Sequence, residues 1–251
     1  HIKHKSRPII CDLGGGYGKL GYFLIKNFKD SCFIDFDIPE VLVLSAYYLM
    51  SSFPNKKTLL FGEKEFKKKD IENFDLIFMP SIEITKMDEN SVDLFVNKNS
   101  LGEMKSDTAK FYIEKICKII LKNSGAIIII DYGQVDKKFK ERNTIQGVLN
   151  NKKSPIFENL GFTDLSSWVN FTDIINRIPK GLVYQGPITQ KKFLLNLGIK
   201  ERFENLSINK LPIEKRQLIS DFERLVSSSF MGQAFKVLII RSDNLPPFQG
   251  F

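Results

Sequence analysis

The sequence predicts an α/β fold: a Rossmann-like, doubly wound, mostly parallel sheet with a C-terminal antiparallel edge and a helical cap. Three observations carry this. Short apolar runs alternate with helically spaced segments as far as Gly133. A glycine-rich turn follows the first of those runs. The chain closes on another apolar run, 233–242, which can return as an antiparallel edge. At 251 residues and 43% hydrophobic content, the chain can bury a substantial core.

In order, "RPIICDLG" (7–14) reads as a buried parallel strand ended by glycines, and 18–28 as a helix. "SCFIDFD" (31–37) is a second strand, and 39–53 a helix with Pro39 in its first turn. Strands are expected at 57–62, 74–80 and 91–98, then a helix over 106–121 capped by Ser106 or Asp107. "SGAIIIIDYG" (124–133) is the most buried-looking strand. A polar stretch runs on to about residue 167, followed by a helix near 171–178, a strand at 181–187, and helices near 189–197 and 213–228. This divides the chain into a core, 1–133, and a cap and acceptor region with the final strands, 134–251, expected to form one continuous domain. The first residue is His1 rather than Met, as expected of a chain whose start is missing.

The net charge is +8, but the lysines are scattered in small runs such as "EKEFKKKD" (63–70) and "DKKFKER" (136–142). A solvated basic surface is therefore expected rather than a nucleic-acid partner. No apolar stretch approaches the ~20 residues that cross a bilayer, and there is no signal-peptide core. The cysteines Cys11, Cys32 and Cys117 are odd in number, lie in apolar segments and lack metal-ligand spacing, so reduced core thiols and no bound metal are expected.

"CDLGGGYGKLGYFL" (11–24) demands close approach to its backbone. A phosphate loop needs a Lys-Ser/Thr pair opening the helix, which is absent. A dinucleotide loop needs a glycine at position 19, which is Lys19. The third reading fits: an acid followed by G-x-G-x-G, the first motif of class I S-adenosylmethionine (SAM) methyltransferases, on Asp12, Gly14, Gly16 and Gly18. Asp12 can receive the ammonium of SAM, and Tyr17 can pack over its methionine part. Asp35 and Asp37 end the second strand, and Asp37, just beyond it, is the better placed to take the ribose hydroxyls. The cosubstrate expected is SAM, with S-adenosylhomocysteine as product.

Residues 9–115 resemble the sugar O-methyltransferases of bacterial polysaccharide loci, carried by "DLGGGYGKLGYFL", "DIPEVLVLSAYYL" and "VDLFVNKNSLGEM" (92–104). Residues 124–251 resemble the MidA-like methyltransferases, which include the mitochondrial enzyme that methylates an arginine of a complex I subunit. The carriers are "GAIIIIDYG", "GPITQKKFLLNLGIKER" and "MGQAFKVLIIRSDNLPPFQGF". That family reads roughly Asn-Glu-Phe-Phe-Asp after strand four, where this chain has Lys98 in place of the Glu. The two resemblances agree on SAM-dependent methyl transfer and differ on the acceptor: a sugar or other small-molecule hydroxyl, or a protein arginine.

A hydroxyl acceptor needs a base, and the only histidines, His1 and His4, precede the first strand. Glu103, in the loop after strand four, is the candidate base. Asn97 can shape the site or touch SAM, and Asp131, ending strand five, can contact the acceptor or orient the loop. Thr189 and Gln190 open either an ordinary helix or a lid. The sequence thus leans to O-methylation of a small-molecule hydroxyl. Its rivals are a MidA-like arginine methyltransferase and a noncatalytic SAM-fold assembly factor. The expected location is cytoplasmic, or the mitochondrial matrix for a eukaryotic MidA-like chain, and a homodimer is kept open.

Overall fold

The computed structural model describes residues 5–120, 125–135, 144–150, 152–159 and 161–251. The 136–142 basic run and both histidines lie outside these residues. The chain first lays down β1 (Ile9–Leu13), α1 (Lys19–Asn27), β2 (Cys32–Asp37) and α2 (Pro39–Ser52). β3 (Thr58–Leu60), the single turn α3 (Asp70–Asn73) and β4 (Leu76–Pro80) follow. It then returns across β1 to form β5 (Leu94–Lys98), α4 (Ser106–Ile120) and β6 (Ala126–Gln134). Beyond lie the short strands β7 (Gln146–Leu149), β8 (Lys152–Ser154), β9 (Asp164–Ser166) and β10 (Val169–Asn170). Next come α5 (Phe171–Asn176), β11 (Leu182–Thr189), α6 (Gln190–Asn196), α7 (Ile199–Ser207) and α8 (Pro212–Val226). The turn α9 (Met231–Ala234) leads into the last strand, β12 (Phe235–Ser242).

The main sheet runs β11-β12-β6-β5-β1-β2-β4-β3, with β10 added beside β6. β3 through β6 pair in parallel, while β12 is antiparallel to β6 and β11 to β12. This is the expected mostly parallel sheet with an antiparallel edge. Both faces are covered. Ile10, Phe33, Leu76, Phe78, Leu94 and Val96 pack against Ile25 of α1 and Leu42, Ala46 and Leu49 of α2. On the other face, Cys11, Leu13, Ile34, Phe36, Phe95, Ile127 and Ile129 pack with Ile113, Ile116 and Ile120 of α4. Each such fully buried side chain is worth ~1.5–3 kcal/mol. The three cysteines are free and buried, and burial pushes the Cys32 and Cys117 thiols up to about 12, so they are inert packing groups.

Two elements depart from the sequence expectation. The polar stretch before residue 167 holds a second, three-stranded antiparallel sheet, β8-β7-β9. Its strands are three or four residues long and mostly half-buried where described, so no alternating apolar pattern marks them. The cap also contains α7, opened by Gly198 in the left-handed region and, like α8, without a buried residue. Among the described residues, no helix is long and apolar enough to cross a membrane.

Candidate active site

The strand order reverses between β1 and β5, where an open α/β sheet leaves a crevice at its carboxyl ends. A cleft of ≈ 700 Å³ lies there, walled by the glycine loop on one side and by the loop after β5 on the other. That volume is ordinary for a small-molecule site.

The glycine wall is shaped by backbone that a side chain would obstruct. Gly14, Gly16 and Gly18 all have positive φ (78°, 61° and 87°), so the three motif glycines are the three left-handed residues of the turn. A Cβ on Gly14 would lie 2.4 Å from Cβ of Ser100, and one on Gly15 would lie 2.5 Å from Oδ1 of Asp35. Tyr17 is 57% exposed at the cleft and meets Tyr48 edge-on at 6.4 Å.

Three carboxylates stand below this wall. Asp12 lines the cleft, yet is buried, and its Oδ1 has no hydrogen-bond partner. Burial, then the Asp35 and Asp37 charges, raise its carboxyl well above the usual range, while Lys98 opposes the shift. Asp37 accepts from the Gly16 N–H through Oδ2 at 2.9 Å and from the Ile38 N–H through Oδ1 at 2.7 Å. It thereby ties the end of β2 to the glycine loop, and each oxygen keeps a further lone pair for a hydroxyl. Asp35 is fully buried, neither oxygen makes a hydrogen bond of full geometry, and burial pushes its carboxyl up to about 7, although the nearby Ser45 hydroxyl and Gly15 N–H favour the ion. The Ser45 hydroxyl donates instead to the Leu42 carbonyl at 3.2 Å.

The opposite wall is held by a buried polar network. Asn97 donates through Nδ2 to the Leu13 carbonyl at 2.9 Å and to Ser100 Oγ, and Ser100 donates to the same carbonyl at 3.1 Å. Asn97 is fully buried and is not among the groups lining the cleft; it shapes the wall by joining the ends of β1 and β5. Asp131 is likewise fully buried and lies behind the loop rather than in the cleft. Its carboxylate accepts from the N–H groups of Leu101, Gly102 and Tyr132, so among the two roles foreseen for it the structure supports orienting the loop over meeting an acceptor. Burial nonetheless raises its carboxyl to about 7.

Glu103 does line the cleft. Its carboxyl is raised by partial burial and then by the charges of Asp164 and Asp37. Asp164 sits on β9, in the small sheet that the sequence did not reveal, and β9 is pinned to this loop by the Ser167 N–H bond to the Gly102 carbonyl at 2.8 Å. Thr189 is an ordinary N-cap accepting from the Lys192 N–H, and Gln190 is buried and donates to the Leu225 carbonyl. Both anchor the cap, and neither forms a lid. Among the described residues, no group of acids, histidines or cysteines could hold a metal.

The residues present fit SAM. Asp12, a buried carboxylate with an orphaned oxygen, lines a cleft whose backbone wall a single Cβ would obstruct, and a second carboxylate follows at the end of β2.

Residues 84–188 match the family described as "Putative S-adenosyl-L-methionine-dependent methyltransferase". The chain is 30% identical over 124 residues to the mitochondrial protein arginine methyltransferase NDUFAF7 of Danio rerio, covering 49% of this chain and 29% of that protein. The Homo sapiens protein of the same name is 30% identical over 125 residues, covering 49% and 27%. The chain thus spans about a third of the length of such relatives. A crystal structure from Burkholderia thailandensis superposes with TM-score 0.75 over 98% of this chain and 76% of that one, at 15% identity. A second from that organism, bound to S-adenosyl-homocysteine, gives 0.72 over 97% and 73%, also at 15% identity. Together these likenesses show the fold of class I SAM-dependent methyltransferases and a resemblance to the MidA-like proteins over part of the chain.

Proposed function

We propose that this chain is a SAM-dependent methyltransferase and that it transfers the methyl group of SAM to a guanidinium nitrogen of a protein arginine. The observation that carries the reading is Glu103 at the cleft with Asp164, on β9 behind it, near enough for its charge to raise the Glu103 carboxyl. Binding a guanidinium favours paired carboxylates, and the second acid comes from a strand remote in sequence. The names of the relatives support the same acceptor. Their printed location, mitochondrial, belongs to this reading as well.

Bound SAM supplies a methyl group on a positively charged sulfur, already activated for in-line displacement. What remains for the protein is positioning and exclusion of water. Asp12 receives the ammonium of the methionine part, Asp37 takes the ribose hydroxyls, and the backbone at Gly14, Gly16 and Gly18 lets the ligand approach. Tyr17 covers it from the solvent side. Glu103 holds the acceptor nitrogen toward the sulfur and lowers the cost of the charge carried there.

A hydroxyl acceptor is the second reading, favoured by the raised carboxyl of Glu103, since a more basic carboxylate is a better general base. Incubating the protein with labelled SAM and cell extract separates the two. Label on arginine in the protein fraction supports the first reading, and label in glycan or small molecules supports the second. Glu103→Gln should lower turnover by about 100-fold under either; unchanged turnover removes Glu103 from the chemistry. If wild type binds neither SAM nor S-adenosylhomocysteine, the noncatalytic assembly role replaces both.

A further inference from the structure

Side chains alternate across a sheet, so every second residue of a strand shares a face. Ile10 of β1, Phe33 of β2, and Leu94 and Val96 of β5 pack in one apolar cluster under α1 and α2. Two residues further along each strand, that face becomes charged: Asp12 on β1, Asp35 and then Asp37 on β2, and Lys98 on β5. Because β1 lies between β2 and β5, the cleft margin reads Asp37, Asp12, Lys98 across three adjacent strands. Neighbouring strands are ~4.8 Å apart, so the row spans roughly 10 Å.

Two members of this row lack partners. Asp12 is 1% exposed with Oδ1 unbonded, and Lys98, exposed at the cleft, forms no ion pair among the described residues. A ligand complementary to the row carries hydroxyls at one end, an ammonium in the middle and a carboxylate at the far end. SAM meets this with its ribose hydroxyls at one end and, at the other, an ammonium and a carboxylate branching from one carbon, so that the two can face Asp12 and Lys98 side by side.

We propose that Lys98 binds the α-carboxylate of the methionine part of SAM, beside the ammonium held by Asp12. The proposal rests on the reading of this cleft as the SAM site. It also removes a conflict: a lysine where MidA-like proteins have an acid looks hostile to a cationic acceptor, but here its charge is taken up by the cosubstrate.

The test is calorimetric and needs no turnover. S-adenosylhomocysteine and 5′-methylthioadenosine share the nucleoside and the thioether, but only the first has the amino-acid part. Lys98→Gln should weaken S-adenosylhomocysteine about 10- to 100-fold, the loss expected for a charge-assisted bond, and leave methylthioadenosine unchanged. Lys98→Arg should restore much of the difference. Equal losses for both ligands, or no loss for either, overturn the assignment. The same holds if Lys19→Gln, at the other cleft lysine, gives the selective loss while Lys98→Gln does not. Binding of methylthioadenosine by every variant would leave the SAM site standing even then. Failure of wild type to bind either ligand overturns both the assignment and the proposed function.

Discussion

Asp35 and Asp131 make an instructive pair. Each is fully buried beneath one wall of the cleft, and burial raises each carboxyl to about 7. Yet Asp131 accepts three backbone N–H bonds, whereas neither oxygen of Asp35 makes a hydrogen bond of full geometry. A raised pKa therefore does not reveal whether a buried acid supports the structure or burdens it. The β5 loop is braced by its aspartate, while the glycine loop lies against an acid that its Gly15 N–H approaches without a well-aligned bond and that leaves no room for a side chain.

Three experiments can break that comparison. The largest effect is expected where the two walls touch. Gly14→Ala adds a Cβ 2.4 Å from Ser100 at φ 78°, costing ~1–3 kcal/mol in backbone strain alone and pushing the walls apart. Calorimetry should detect no S-adenosylhomocysteine binding; near-normal affinity would show that the loop can shift freely.

Asp131→Asn comes second. It turns an amide N–H donor toward backbone N–H donors and releases the loop bearing Glu103, so turnover should fall about 100-fold, the scale of an ångström of misplacement. Affinity for S-adenosylhomocysteine should hold, because the cofactor wall is intact. A parallel loss of affinity would make Asp131 a general stability residue rather than a positioning one.

Asp35→Asn should act in the opposite direction and least. With a folded pKa of about 7 against an ordinary aspartate value, the folded state holds the extra proton between those limits. Stability is therefore lost as pH rises through that window. Removing the ionisation recovers on the order of 4 kcal/mol at pH 8, less ~1–3 kcal/mol for an amide left without partners. The net gain should be about 1–3 kcal/mol at pH 8 and should disappear by pH 4. A gap that does not change with pH in denaturant titrations would refute it.

Much of the site was legible in the sequence because its cofactor half is local. Asp12, Gly14, Gly16 and Gly18 belong to one strand-turn-helix passage, and Asp37 ends the next strand, so spacing alone places them at the crevice. The acceptor half was less legible. Asn97 and Asp131 were singled out, but their partners were not, and Asp164 was hidden in a strand with no apolar alternation. Nor does the sequence show that Asp37 is already bonded to Gly16.

The sequence by itself determined the parallel sheet, the antiparallel return of the chain and the class of cosubstrate. Those follow from strand and helix periods and from glycine spacing within a few residues of chain. Only the tertiary structure decided that Asp131 faces backbone, that Asp35 lacks a well-aligned donor, that Asp164 stands near Glu103, and that Lys98 ends a charged row. The reason is physical: a buried polar group takes its role from its partners, and these partners arrive from distant segments through packing.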